Sequence, residues 1–438
     1  MQEALKEKRK EKLSFSAKKI SSNLFRAEIL VDSSQVKSIY NQTLRVFQRE
    51  TLLPGFKKES APIPYIEKNF KNSIENNIKN YLFKHYVLDY LMDNIRKEKI
   101  TIANYPRLIN IKFLPNKQMS FTFDLSVACP LELKEWKFFI FRAPKRKRYK
   151  DLDKQVSLFI KRESNIFKNK KAEIVDEGDW VLFEANLVNN KNQIISGPFK
   201  SLFWIKINNK YVKKPFQASL VGKKVNESII TNSLPMRNEF SKEQENNNFP
   251  YKVTIKKIVK GRSFSLESFK DTFKLKSKIE IHNKLIEVFS YRNDISQRRA
   301  IIEEIFHLLL SKHRFEVPKH FSVRRQEDIL NYLKKHPDYN VYKQNKDFHK
   351  QITMLAEKQL KEEILIDQIA YRENLEINHD DIQNYLYLFN NNRLREFVYF
   401  KPILDKIDEV EEPLQTGLLK QYVMREKTLN HVIHELTK

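Results

Sequence analysis

The stretch Leu52-Leu53-Pro54-Gly55-Phe56-Lys57-Lys58 sets an aromatic ring and two cations on the tip of a turn between two helical patterns. Pro54 and Gly55 both stop a helix, so the chain must reverse here. Upstream, Val36, Ile39, Tyr40, Thr43, Leu44 and Phe47 keep the i, i+3, i+4, i+7 spacing of one helix face, and Asp32-Ser33-Ser34 supplies its cap. Downstream of Pro62 and Pro64, the stripe Ile74, Ile78, Tyr81, His85, Leu88, Met92 and Ile95 predicts a second, longer helix, with His85 as a satisfied core histidine. A phenylalanine on such a tip is hard to bury locally, and paired lysines suit a phosphate-rich surface. The loop therefore reads as an apolar anchor with electrostatic docking. The competing reading folds Phe56 back onto its own domain.

Strand signals flank the helix pair. Residues 13–19 and 24–31 are β-rich runs around Ser21-Ser22-Asn23, and residues 108–114 and 119–127 form a hairpin around Pro115-Asn116-Lys117. Met119, Phe121, Phe123, Leu125 and Val127 alternate cleanly, the mark of a half-buried strand. The unit predicted is ββααββ. Beyond it, Cys129-Pro130-Leu131-Glu132-Leu133 is extended, Lys145-Arg146-Lys147-Arg148 is a basic run read as a solvated face, and residues 151–167 form a connecting helix. Residues 172–260 change to β character, with strands over 180–183, 203–207 and 251–258 and a polar loop over 237–248. From about Phe264 the pattern is helical to the end: 279–289, 298–310, 323–333 and the longest, 354–370.

The 438 residues suggest about three domains, and 41% hydrophobic residues are enough for substantial cores. Six glycines, at 55, 178, 197, 222, 261 and 417, are too scattered for a G-x-G-x-x-G loop or a P-loop, which excludes those nucleotide-dependent enzymes. The single cysteine, Cys129, excludes an internal disulfide or a multi-cysteine metal centre and reads as one buried thiol in a reducing compartment. His431-x-x-His434 lacks a third ligand, and Glu362-Glu363 and Glu411-Glu412 read as solvated faces, so no metal, cofactor or catalytic site is expected. Residues 1–15 lack the apolar core of a secretory signal, and no run of 18 apolar residues predicts a membrane span, so the expected location is the cytoplasm. The 81 Lys and Arg against 55 Asp and Glu leave +26. The basic residues run through the whole chain, and Ile, Lys, Asn, Phe and Tyr are abundant while Gly, Ala and Pro are scarce, the bias of AT-rich codons. Charge alone does not identify a polyanionic partner.

Leu53-Pro54-Gly55-Phe56-Lys57-Lys58-x-x-Ala61-Pro62 resembles the ribosome-docking signature of the bacterial trigger factor family, in which that loop joins the two helices of a ββααββ domain. Glu177-Gly178-Asp179 and the run 251–257 are similar to the opening and last strands of the family's FKBP-like domain. Val317-Pro318, Ala356-Glu357-Lys358 and Leu365-x-x-Gln368-Ile369-Ala370 are similar to its helical arms. The resemblance implies an α+β multidomain fold: a ribosome-binding domain over 1–128, a linker over 129–171, an FKBP-like β-rich domain over 172–260 and an all-helical chaperone domain with arms over 261–438. It implies an ATP-independent chaperone whose partners are the large ribosomal subunit, protein and rRNA at the tunnel exit, and nascent or unfolded polypeptides, with Gly55, Phe56, Lys57 and Lys58 as docking residues.

Departures from the family pattern also carry expectations. Lys57 replaces an arginine, which keeps the charge and loses the planar fork. In the middle domain Lys213-Lys214-Pro215-Phe216 stands where the family has an Ile-Pro-Gly-Phe element, and Glu184 replaces an aspartate. Phe203 and Phe216 remain as candidate proline-pocket aromatics in a degraded pocket. An active FKBP-type prolyl isomerase and a stand-alone basic RNA-binding protein are the two alternative functions.

Overall fold

The computed structural model describes residues 13–438 except 51–53, 58, 114–117, 145–150, 170–173, 190, 195–200, 209–214, 233, 237–249, 262–264, 290–295, 335–336, 391–392, 403–405 and 408–409. Lys58, the basic run 145–148, Lys213-Lys214, the polar loop 237–248 and the turn residues 115–117 thus lie outside the described residues.

In the N-terminal unit, β1 (Leu13–Ser21) and β2 (Leu24–Val31) form a hairpin turned at Ser22-Asn23. After α1 (Ser33–Glu50) come α2 (Ile63–Asn69), α3 (Lys71–Leu82), a π-turn over Phe83–Val87 and α4 (Leu88–Lys97). The strands β3 (Arg107–Phe113) and β4 (Met119–Ser126) complete an antiparallel sheet ordered β1-β2-β4-β3. The period-2 pattern dictates its inner face: Ala27 lies opposite Phe123 and Ile29 opposite Phe121, all fully buried under the helices. Asp32 caps α1 by accepting the Ser34 amide at 2.9 Å. The single long helix expected from the 74–95 stripe is broken. Phe70 separates α2 from α3, and the π-turn interrupts the remainder. Both sides of the helix are buried over residues 84–87, Lys84 included, because other parts of the chain pack on the side the apolar stripe leaves free.

The middle unit is built on β5 (Trp180–Leu187), β6 (Leu202–Lys206), β7 (Ser228–Thr231) and β8 (Tyr251–Val259). Preceding it, the connecting helix α5 spans Leu152–Asn169, and between β6 and β7 lies α6 (Pro215–Leu220). Every residue of β5 is buried. One face of the sheet (Val181, Phe183, Ala185, Leu187, Phe203, Ile205, Val253, Ile255) shares a single apolar core with the N-terminal unit. The other face (Trp180, Leu182, Trp204, Val259) packs on C-terminal helices through Leu285, Ile286 and Leu386. Entry and exit strands are clamped where Asp179 accepts from Lys260 Nζ at 2.8 Å and from the Gly261 amide at 2.9 Å. A side chain at Gly261 would run into the Gly178 carbonyl, its Cβ only 2.1 Å away.

The C-terminal part comprises α7 (Leu266–Thr272), α8 (Lys278–Ile286), α9 (Gln297–Lys312), α10 (Lys319–Leu333), α11 (Tyr339–Lys343), α12 (Phe348–Arg372), α13 (His379–Asn390) and α14 (Thr416–Leu436). It is not helical throughout. Strands β9 (Lys406–Ile407) and β10 (Val410–Glu411) pair with each other, and β11 (Leu414–Gln415) adds an edge to the middle sheet, Leu414 opposite Trp204 and Gln415 opposite Phe203. The full order there is β11-β6-β5-β8-β7. Two-residue strands have no periodicity to read, which is why the sequence did not reveal them.

The segment 129–144 straps onto the helical body. Trp136 is buried among α9, α12 and α14 residues, and Gln368 holds the strap from both sides, accepting from the Leu131 amide at 2.6 Å and donating to the Cys129 carbonyl at 2.9 Å. Cys129 itself is exposed, contrary to the expected buried thiol, because the strap turns its side chain outward toward Asn23. Among the described residues no helix is long and apolar enough to cross a membrane.

Candidate functional site

The predicted docking tip is a built turn. Gly55 takes φ +86°, a left-handed conformation that favours glycine. The Ser60 amide and hydroxyl both donate to the Lys57 carbonyl, at 3.0 and 2.7 Å, and Gln48 Nε2 donates to the Ala61 carbonyl at 2.7 Å, tying the loop back to α1. The underlying helices are joined by Tyr40, whose hydroxyl donates to Glu67 Oε1 at 2.5 Å. On this base Phe56 is 36% exposed and Lys57 is exposed. Phe56 does not enter the core. Its ring meets that of Tyr65, also exposed, at 5.0 Å between centroids. Tyr65 was missed by the sequence reading. The available signal was its place one residue after Pro64, on the first turn of the helix that leaves the tip.

The two candidate pocket aromatics have the opposite fate. Phe203 is 1% and Phe216 3% exposed, and both pack on Phe183, at 5.8 and 5.4 Å. Both are closed off from solvent, and over Phe203 it is the N-terminal π-turn that closes the face. His85 sets its ring edge against Phe203 at 5.2 Å, stacks on Tyr81 at 4.2 Å and on Tyr251 at 5.7 Å, and bonds Ser201 Oγ through Nδ1 at 2.5 Å. Burial, reinforced by neighbouring Lys84, lowers His85 to about 3, so the ring is neutral near pH 7. Glu184 stands on the other face of β5 from Phe183 and pairs with Lys256 at 3.0 Å.

The helical hairpin of α10 and α12 presents a third surface. Val323, Tyr332, Val341, Tyr342, Met354 and Leu355 are all exposed there, Val341 by 67% and Met354 by 62%. At the opposite end of α12 the carboxylates expected to face solvent are instead buried. Glu363 is gripped by both Arg325 guanidinium nitrogens at 2.7 Å and by Arg425 at 2.9 Å, and Asp367 receives Arg425 at 2.8 and 2.9 Å. Burial opposes the charge of Glu363, but Arg425 and Arg325 outweigh it and hold the carboxyl below its usual range. Glu362 accepts from the Tyr399 hydroxyl at 2.8 Å and is pushed up to about 7 by burial. Glu412 pairs with buried Lys84 at 2.9 Å, while the Glu411 side chain lies outside the described residues. Glu362, Glu363 and Glu412 read as ordinary charge runs because their partners Tyr399, Arg325, Arg425 and Lys84 are remote in sequence. The network fastens the base of the hairpin to α14 and leaves its apolar end free. His431, on α14, lies 3.8 Å from Glu373, and among the described residues no group of three or more His, Cys, Asp or Glu side chains is arranged to hold a metal.

The family matches cover the docking tip and the helical hairpin. The family model described as bacterial trigger factor protein matches residues 13–158, and that of the bacterial trigger factor C-terminus matches residues 280–434. The chain is 20% identical over 439 residues to the trigger factor of Treponema denticola, covering 93% of this chain and 92% of that protein. It is 23% identical over 420 residues to that of Desulforudis audaxviator, covering 90% and 93%. It is 20% identical over 366 residues to that of Desulfatibacillum aliphaticivorans, covering 80% and 82%. A solved structure of the trigger factor chaperone is similar over 96% of this chain and 100% of its own, with 14% identity and a TM-score of 0.36. The two family matches together span well over half of the residues, and the chain belongs to the bacterial trigger factor family.

Proposed function

We propose that this protein is a cytoplasmic, ATP-independent chaperone that docks on the large ribosomal subunit through Gly55, Phe56, Lys57 and Lys58 and holds nascent or unfolded segments on the apolar surface of its α10–α12 hairpin. The observation that carries the docking role is the exposed Phe56 ring beside Lys57 on a turn braced by the Ser60 and Gln48 bonds. A braced tip loses little entropy on binding, so an aromatic anchor there yields affinity efficiently. The hairpin suits reversible capture of unfolded chains: its exposed apolar side chains offer surface that an apolar segment can cover and leave again. The middle sheet adds reach and client surface but little prolyl isomerisation, since Phe203 and Phe216 are both covered.

Co-sedimentation with large ribosomal subunits tests the docking assignment. Phe56→Ala, or Lys57→Ala with Lys58→Ala, should weaken association by about thirtyfold or more, the loss expected for a buried anchor. Circular dichroism should be unchanged, because the tip lies outside the core. Wild-type sedimentation by both variants would sink the assignment.

A further inference from the structure

The seam between the N-terminal unit and the rest of the chain combines an apolar core with a set of buried polar bonds. Within the N-terminal unit, Ile29, Phe121, Phe123, Ile74 and Ile78 share an apolar core. That core continues across the seam into Phe183, Phe203 and Ile255, and polar bonds are set around it. Gln42 Nε2 donates to the Val188 carbonyl at 3.0 Å, Lys84 pairs with Glu412 at 2.9 Å, and the Lys84 carbonyl accepts from Gln415 Nε2 at 2.7 Å. Asp89 accepts the Gly417 amide at 2.7 Å, and Arg96 donates to the Gly417 carbonyl at 2.7 Å. Buried charges cost heavily to strip of water, so they add little to a permanent core. A surface that must also stand in water retains such groups, as separable domain interfaces do. The helix leaves α form at this seam: the π-turn Phe83–Val87 carries both Lys84 and His85, and π-turns concentrate at functional positions.

We propose that this π-turn is a releasable cover over the aromatic face of the middle sheet, held down by the Lys84–Glu412 pair. The His85 ring, stacked on Tyr251 and edge-on to Phe203, occupies the face that a flat apolar side chain of a client would otherwise meet. The chain therefore hides that surface until the N-terminal unit parts from it. This rests on the reading of the middle sheet as client surface, whereas its test needs neither ribosome nor client.

The experiment uses the full chain with Cys129→Ser, and a single new thiol introduced either by Ser201→Cys, under the cover, or by Ala27→Cys, buried inside the N-terminal sheet. Labelling by the thiol reagent DTNB is timed under native conditions. The thiol at position 201 should react at least about tenfold faster than that at position 27, because local opening costs less than global unfolding. Adding Lys84→Glu should speed position 201 by at least about tenfold again, since it sets two carboxylates together, and leave position 27 unmoved. Restoring the pair in reverse, Lys84→Glu with Glu412→Lys, should slow position 201 once more. Equal rates at both positions, or a Lys84→Glu effect that accelerates both alike, would overturn the proposal, since the seam would then open only when the whole fold does. Docking failure in Phe56→Ala would leave these rates untouched, so the two ideas fail separately.

Discussion

Phe56 and Phe203 are both phenylalanines that the family resemblance places at functional surfaces, yet one stands 36% exposed and the other 1%. The difference lies in what supplies the neighbours. Phe56 sits on a turn whose own residues cannot reach around it, so its exposure follows from local chain geometry. Phe203 is on a strand whose inner face would be partly open if the middle unit stood alone, and a helix from more than a hundred residues away closes it through His85. Exposure of a loop tip is a local property, and closure of a sheet face is a tertiary one.

Three measurements break or sharpen this contrast, and the largest expected effect comes first. Phe203→Ala should destabilise the fold by about 3–5 kcal/mol, the cost of emptying a packed aromatic site, whereas truncating Phe56 should leave chemical denaturation unchanged. Equal stability losses in both variants would erase the distinction. The second concerns catalysis by the covered face. In a protease-coupled assay on a Phe-Pro tetrapeptide, turnover should lie at least about tenfold below that of an ordinary FKBP-type enzyme, a difference of about 1.4 kcal/mol in barrier. Activity at the ordinary level would show the face to be open in solution.

The third uses pH. His85 is lowered to about 3 in the fold by burial and then by Lys84, against an ordinary 6.5. The unfolded chain therefore takes up this proton first as pH falls. Stability from the neutral ring is fully present above about 6.5 and is lost toward pH 3, at up to about 1.4 kcal/mol per unit. Asp89 acts in the opposite sense. Burial raises it to about 7 from 3.8, so its cost appears as pH rises between those values. His85→Phe keeps a ring in the stack and removes the first effect only. Comparing denaturation at pH 7 and pH 5, wild type should lose up to about 2 kcal/mol more than the variant. Parallel losses would place His85 outside the buried seam.

Much of the architecture was legible in order along the chain. The alternation from Met119 to Val127 announced a one-sided strand, Asp32 announced a cap, and Pro54-Gly55 announced the reversal that carries the tip. Each of these signals acts within a few residues, where backbone sterics and side-chain periodicity leave few options. The exposure of Phe56 and Lys57 on that tip was readable for the same reason. Tyr65 escaped because nothing local says which aromatic a neighbouring loop will lean on.

What only the tertiary structure decided are the partnerships between distant residues. Glu362 and Glu363 carry the composition of a solvated face, and Arg325, Arg425 and Tyr399 turn them into a buried network. Leu414 and Gln415 become a strand only because β6 offers them a free edge. Lys84 is a lone cation at the flank of its helix's apolar stripe, and Glu412 pairs with it in the interior. The sequence by itself determined the local elements and the exposed tip, since short-range sterics and hydrophobic period act on neighbours. The burial of charge and the closing of the aromatic face needed the fold, because the energy of a buried ion pair or a covered ring exists only once both partners have been brought together.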